Sequence, residues 1–312
     1  QCSDYRDGLE YFKCNFYATE SKYLYIRTFQ VLFPKIYSFL IGLYKRTNIK
    51  KVRSKHKNFS GYNIEADFRY KYFRDYYRDL FKYFDFIIFN SEITKEVYSK
   101  YIDLKDKNYT IIPVSHNNIS DCRKINKYNI NKDCVNLLYM GVIDHKKGFF
   151  DLIKVLETLK NEYRNWKLHI YADYSHIDIS NYDKNFYIFN GPYNHNNISK
   201  IFEDKNLLIV PSKCKETFGF IALEAYSYGI PSLLSENVGF SGFVKDRFDT
   251  LIYGEHDKDN KLIDLLREIL NDSKILEEVH KNIIKNENYY GFLMEYHLIL
   301  LNKIYYVGLK EK

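Results

Sequence analysis

The chain has 312 residues, 46% hydrophobic and 28% charged, with 13 Gly and 5 Pro. That make-up suits a globular protein of about two domains and excludes a collagen-like, a largely disordered or a small disulfide-scaffold chain. The formal net charge of +7 is uneven: residues 22–82 hold 15 Lys/Arg against 4 Asp/Glu, so the remainder sums to −4. A basic block of this kind points to an anionic partner, whether a membrane surface, a nucleic acid or a phosphorylated substrate. The five cysteines (Cys2, Cys14, Cys122, Cys134, Cys214) contain no CxxC pair and read as reduced, unligated thiols in a reducing compartment. No signal peptide is read, and no run of about 18 apolar residues occurs, so no membrane span is expected. The chain begins at Gln1 rather than Met, which reads as a fragment or a processed product.

In chain order, residues 24–44 are apolar and aromatic, with Pro34 set to kink or end a helix. Residues 45–57 form a basic loop, and 66–84 predict an amphipathic helix. Residues 84–90 predict a buried strand, 91–101 a helix capped by Ser91, and 109–114 a further strand. The second part alternates regularly. Strands are expected at 135–141, 166–172, 185–191, 206–212, 230–236 and 249–254, and helices at 146–163, 194–205, 220–229 and 260–272. Short apolar strands alternating with helices predict βαβ units and a parallel sheet. A closing amphipathic helix is expected over 289–308.

The segment that speaks most to chemistry is KCKETFGFIALEAYSYGIP, 213–231. Thr217, Phe218 and Gly219 sit at a helix start, where unpaired N–H groups and the helix dipole make an anion site. Gly219 has no side chain to block a phosphate. Glu224, one or two turns into the helix, can accept two hydrogen bonds from a vicinal diol such as a ribose. Glu216, in the preceding loop, lies where a sugar would sit beyond the phosphate. Solvated glutamates on an amphipathic helix are the plain alternative. It fits Glu224 poorly, because Phe220, Ile221, Ala222, Leu223 and Ala225 make the helix apolar nearly all round. The second segment, 137–153, ends a strand at Gly141 and begins a helix near Lys147–Gly148. A lysine at the carboxyl end of a strand can balance a diphosphate, although taken alone it reads equally as a surface residue.

Together these segments resemble the glycosyltransferases of the GT-B fold, specifically the large retaining family 4, over most of residues 84–308. That family carries a G-R-L-x-x-x-K-G turn after the first strand of its second domain, and later E-x7-E followed by G-x-P. Gly141, Lys147 and Gly148 match the first motif; Glu216, Phe218, Gly219, Glu224, Ala225, Gly229 and Pro231 match the second. The strand and helix around Phe86–Ser91 look like the last strand of the family's first domain, and Ile112–Pro113 like the start of its linker. The closing helix, with Tyr289 and Tyr305, is similar to the one that crosses back onto the first domain. The resemblance implies an α/β fold of two Rossmann-like domains with parallel sheets, the N-terminal one incomplete. It divides the chain into an acceptor-side part (1–118), a linker (119–134), a nucleotide-sugar-binding domain (135–285) and a returning helix (286–312).

The same resemblance implies transfer of a hexosyl group from a nucleotide-diphosphate sugar, UDP favoured over GDP, to a glycan or polyprenyl-linked acceptor in cell-surface polysaccharide or glycoconjugate synthesis. Lys147 and Glu216 would be catalytic. Gly141, Lys147, Thr217, Phe218, Gly219, Phe220 and Glu224 would bind the donor, with neither a metal nor a cofactor beyond that donor. The expected location is cytoplasmic, at the inner face of the membrane if the basic block (22–82) meets anionic lipid; no nucleic-acid motif is present. Two departures stand out. The family's arginine falls on Val142. The first domain lacks the family's Gly-rich loop and an assignable histidine, with Ser3 before Asp4 and Tyr5 where a histidine would stand. Both departures leave open an alternative, a non-catalytic GT-B module partnering an active transferase. Asp257 and Asp259 read as capping residues of the helix that follows rather than as a D-x-D metal motif. The scattered histidines (His145, His169, His176, His195) read as surface groups, with His145 placed to reach the donor.

Overall fold

A computed structural model describes residues 77–125, 128–131, 133–254 and 261–310, with side chains through Tyr305. The chain divides into two compact units between Tyr83 and Phe84, and nearly all the described residues belong to the second. The readings at Asp4, Pro34, the basic loop (45–57), Cys2, Cys14 and most of the basic block fall outside the described residues. So do Asp257 and Asp259. The helix that follows them has Lys261 at its N-cap position, with no cap bond from that side chain. Of the helix predicted over 66–84, residues 77–80 are helical and Phe81–Tyr83 form a 3-10 turn.

The second unit opens with β1 (Phe86–Phe89), α1 (Glu92–Ser99) and β2 (Asn108–Ile111), the two strands pairing in parallel. Ser91 caps α1 as expected, its Oγ accepting from Thr94 N at 3.1 Å. The strand predicted as buried is buried on one face only: Ile87 and Phe89 are covered, while Phe86 and Ile88 are exposed. Alternation of this kind is what a strand with one covered face displays.

Six further strands form one parallel sheet in the order β5–β4–β3–β6–β7–β8. They are β3 (Val135–Met140), β4 (Trp166–Tyr171), β5 (Tyr187–Phe189), β6 (Leu207–Val210), β7 (Ser232–Ser235) and β8 (Leu251–Tyr253). Residues of β6 and β7 are buried throughout, as continuous apolar runs in a doubly covered parallel sheet should be. The connecting helices are α2 (Phe149–Leu159), α3 (Ile198–Phe202), α4 (Phe220–Ser227), α5 (Leu262–Asn271), α6 (Lys274–Lys285) and α7 (Met294–Lys310). In α5 the buried residues are Leu262, Leu265, Leu266, Ile269 and Leu270, one stripe at helical spacing.

The order of the strands fixes where a ligand can sit. β3, β4 and β5 step outward in one direction, and β6 then returns to the other side of β3. The order of strands reverses there, so the connections leaving the carboxyl ends of β3 and β6 diverge and open a crevice. Gly141–Gly148 leave β3 and Ser212–Gly219 leave β6, so both segments singled out in the sequence border that crevice.

Three local expectations change. The helix over 194–205 is a 3-10 turn, His195–Asn197, followed by the short α3. Helix α6 was not expected, although Leu276, Val279 and Ile283 lie on one face and are buried. The closing helix begins at Met294, after a 3-10 segment Glu287–Phe292. Tyr289 therefore lies outside it and is fully buried, with the Arg123 guanidinium 4.1 Å from its ring centre, whereas Tyr305 in α7 is exposed.

Candidate functional site

The turn after β3 is built from the backbone outward. Tyr139 is buried in β3, and its hydroxyl donates to Val142 O at 2.6 Å, pinning the turn from below. Asp144 Oδ1 accepts from Lys147 N at 2.6 Å. Gly148 then adopts φ 70° and caps α2, and a Cβ there would lie 1.7 Å from Pro211 O. No residue with a side chain fits, because the turn is pressed against the end of β6. On the other side, Lys213 N and Cys214 N both donate to Lys146 O, at 2.9 and 3.2 Å. The two loops are thus one hydrogen-bonded unit.

That unit places Lys147 Nζ 2.9 Å from Glu216 Oε1. The same carboxylate oxygen accepts from Ser212 Oγ. Burial works against the Lys147 ammonium, but the charge and hydrogen bond of Glu216 outweigh it and leave its pKa above the usual lysine value. Glu216 is held through its backbone as well: its N donates to Asn237 O at 2.8 Å, and its carbonyl accepts from Gly239 N at 3.1 Å. Next along, Thr217 O accepts from Ser91 Oγ at 2.6 Å, so the cap of α1 also anchors this loop. Gly219 follows at φ 95°, where a Cβ would meet Val238 Cγ1 at 2.6 Å, and α4 begins. Ala222 N donates to Gly219 O at 3.0 Å, and the N–H groups of Phe220 and Ile221 before it have no acceptor within the helix.

Glu224 lies roughly 7 Å along the axis of α4 from Gly219, at a rise of about 1.5 Å per residue. It is 4% exposed. Its Oε1 faces two imidazoles, His195 Nδ1 at 3.1 Å and His116 Nε2 at 3.5 Å. Burial pushes its pKa up to about 7, with His195 pulling the other way through its charge and a hydrogen bond. The His116 ring packs 5.2 Å from that of Phe220, and Tyr193 lies 5.7 Å from His195. A carboxylate rimmed by rings therefore occupies one end of the site and an ammonium–carboxylate pair the other.

The sequence-predicted residues fall as follows. Lys147 and Glu216 meet directly. Gly141 ends β3 at φ 147°, beside Val142, which is 60% exposed at the place of the family's arginine. Phe218 has its ring buried among Phe220, Phe240 and Phe243, so it offers the site only its backbone. Thr217 and Phe220 are exposed beside it, and Glu224 is the buried exception the apolar helix implied. His145 is exposed and lies against Phe150, 4.6 Å between ring centres. His176 Nε2 is 3.0 Å from Ile143 O. His169 is held neutral, its pKa lowered to about 4 by burial and then by the charge of Lys205. Sequence reading missed His116, Ser212 and Tyr139, and left His195 among the surface groups. Nothing in their spacing marks them, because only the folded sheet brings the loop after β2 next to α4. Among the described residues, no group of three or more His, Cys, Asp or Glu is arranged to hold a metal ion.

The family model for glycosyl transferases group 1 matches residues 121–287, more than half of the chain. The chain belongs to that family. All of the site except His116 and Ser91 falls within the matched residues. The parallel α/β architecture matches that of GT-B glycosyltransferase structures. Sucrose-phosphate synthase from Thermosynechococcus elongatus superposes with a TM-score of 0.59 at 20% identity, over 78% of this chain and 63% of that one. Anabaena HepE, solved in complex with UDP and glucose, gives 0.56 at 13% identity, over 74% and 66%. In sequence, an uncharacterized 41.2 kDa protein in the cps region of Klebsiella pneumoniae is 23% identical over 144 residues, which is 46% of this chain and 39% of that protein. The chain thus spans well under two thirds of that relative's length. No described helix is long and apolar enough to cross a membrane.

Proposed function

We propose that the crevice is the donor site of a retaining family 4 glycosyltransferase, which takes a hexosyl group from a nucleoside-diphosphate sugar to a glycan or lipid-linked glycan. The observation that carries the reading is the Lys147–Glu216 pair at the strand-order reversal, with the buried Glu224 in the second turn of the helix that Glu216 precedes. Lys147 and the first-turn N–H groups of α4 would stabilise charge growing on the departing diphosphate. Glu216 would hold sugar hydroxyls and orient the anomeric carbon, and Glu224 would accept from the ribose diol. With the acceptor hydroxyl attacking on the face the leaving group departs, retention needs no protein nucleophile. Lys147 contacts Glu216 at 2.9 Å, so a diphosphate bound there would share the ammonium with Glu216. UDP is the favoured nucleotide, and HepE supports it as a protein solved with UDP and glucose. The assignment to cell-surface polysaccharide synthesis is in keeping with a relative from a cps region, and a lipid-linked acceptor would place the chain at the inner membrane face. The acceptor surface and the lipid-facing role of the basic block belong to residues 22–82, almost all outside those described.

The second reading, a non-catalytic partner module, is favoured by one observation: exposed Val142 supplies no charge where the family has arginine. A thermal-shift titration with UDP, GDP, ADP and CMP, with magnesium and with EDTA, separates the two. The transferase reading expects saturable stabilisation by one nucleoside diphosphate, with or without metal. No shift with any of them would overturn the donor site and leave the partner module.

A further inference from the structure

Two imidazoles from separate segments meet at one oxygen of one buried carboxylate. His195 opens the 3-10 turn after β5, which Asn194 caps by accepting from Asn196 N at 3.0 Å. His116 comes from the loop after β2. Its Nδ1 accepts from Asn118 N at 3.2 Å, which fixes the tautomer and puts the proton on Nε2, the nitrogen that faces Glu224 Oε1. Both rings crowd Oε1. His195 is half exposed, whereas Glu224 is covered. A ligand arriving from solvent therefore meets the His195 edge before it meets the carboxylate that His195 holds.

From this convergence we propose that His195 is a positioning residue for nucleotide binding: it supplies the counter-charge and hydrogen bond that fix the Glu224 carboxylate as an acceptor for a vicinal diol. The proposal rests on the nucleotide reading given above and adds the residue that makes Glu224 usable in it. A diol donates two hydrogen bonds, and only the ionised carboxylate accepts both while also holding the imidazoles. Burial opposes that form. The titratable groups facing Glu224 are His195, His116, Tyr193 and Tyr228. Burial and then the charge of His195 lower the His116 pKa, so its ring stays a neutral donor. Burial, with Glu224 adding to it, raises the pKa of Tyr193. Burial also raises that of Tyr228, through which Cys122 and Glu224 act in the same direction. Both phenols are therefore uncharged at neutral pH. Of the two imidazoles at Oε1, His195 is the nearer and the more exposed, its side chain 50% exposed against 29% for His116.

The test is calorimetric titration of UDP, GDP and ADP into the full chain between about pH 6 and about pH 9. Wild-type affinity for the preferred nucleotide should rise through about pH 7, following the Glu224 carboxyl. His195→Ala should move that midpoint up by about one unit, giving roughly fivefold weaker binding near neutrality and convergence on wild type near pH 9. His195→Gln, which keeps a donor but no charge, should fall between the two. Glu224→Gln should flatten the profile, which separates the carboxyl from ionisation of the ligand's own phosphate. A His195→Ala loss that is equal at every pH, or no loss, would overturn the proposal and leave the donor site standing. No binding by the wild type at any pH would overturn the nucleotide reading, and this inference with it.

Discussion

The two glutamates of the E-x7-E segment sit in opposite surroundings. Glu216 lies in a loop, 14% exposed at its side chain, with a lysine ammonium and a serine hydroxyl on one oxygen. Glu224 lies in a helix, 4% exposed, with only imidazoles and phenols around it. The first is a charge with a full countercharge, rigidly placed by the backbone that carries Lys147. The second is a carboxyl that burial holds near its point of neutralisation. In the proposed reading the two would divide the work, the Lys147–Glu216 pair giving fixed electrostatics at the junction of diphosphate and sugar, and Glu224 conditional hydrogen bonding at the nucleoside. The glycines show the same contrast. Gly148 and Gly219 fix the Lys147–Glu216 end by φ and by close approach, whereas the Glu224 end is fixed by side chains.

The largest effect should come from breaking the rigid end. Gly148→Ala puts a methyl group into Pro211 O at a left-handed φ, and it should cost about 3 kcal/mol or more of folding stability in urea denaturation. A loss under about 1 kcal/mol would mean that the β3 and β6 loops are not locked together. Next, Lys147→Ala should lower sugar-nucleotide turnover by about 100-fold, as loss of a leaving-group charge stabiliser does, with a folded protein confirmed by its thermal transition.

Breaking the conditional end should show the reverse sign in stability. The folded pKa of Glu224, about 7, lies above the ordinary 4.5, so the native state binds the extra proton. Its stabilising contribution is full below about pH 4.5 and is lost as pH rises through about 7. Glu224→Gln should therefore change little near pH 4.5 and should stabilise the chain above pH 7 by on the order of 2 kcal/mol, while weakening nucleotide binding. Destabilisation at about pH 8 would show that the carboxylate is well compensated in the fold. The smallest effect concerns Val142→Arg. It should tighten nucleoside-diphosphate binding by only a few-fold, about 1 kcal/mol or less, since Val142 is exposed and an added arginine there stays solvated. Unchanged affinity would say that another group already holds that position.

Much of the diphosphate end was legible in the sequence, because it is made of short-range features. Gly141, Lys147–Gly148 and Glu216–Gly219 each follow a short apolar strand, and a strand, a turn and a helix start can be read from spacing alone. Glu224 was legible for a different reason, as one carboxylate in an apolar helix. The strands of the large sheet followed from continuous runs such as LLIV in β6. What was not legible depends on the order of strands in the sheet. Only that order puts Lys147 against Glu216 and brings His116 from the loop after β2 to Glu224. The half-exposed faces of Phe86 and Ile88 escaped notice because an all-apolar run hides which face is covered. Helix α6 is harder to read because its stripe of Leu276, Val279 and Ile283 is narrow, set among Lys, Glu, His and Asn. Tyr289 reads as helical from its neighbours, yet it is buried under Arg123 in a 3-10 segment and the regular helix starts only at Met294.

The most direct test of the division between the two ends is a crossed titration. Binding of UDP, UMP and the 2′,3′-dideoxy diphosphate would be measured for the wild type, Lys147→Ala and Glu224→Gln. The account predicts that wild type loses affinity on removal of either the β-phosphate or the diol. Lys147→Ala should have become insensitive to the β-phosphate alone, and Glu224→Gln to the diol alone. Equal sensitivity of both variants to both deletions would contradict it, because the two carboxylate environments would then not correspond to two parts of one ligand.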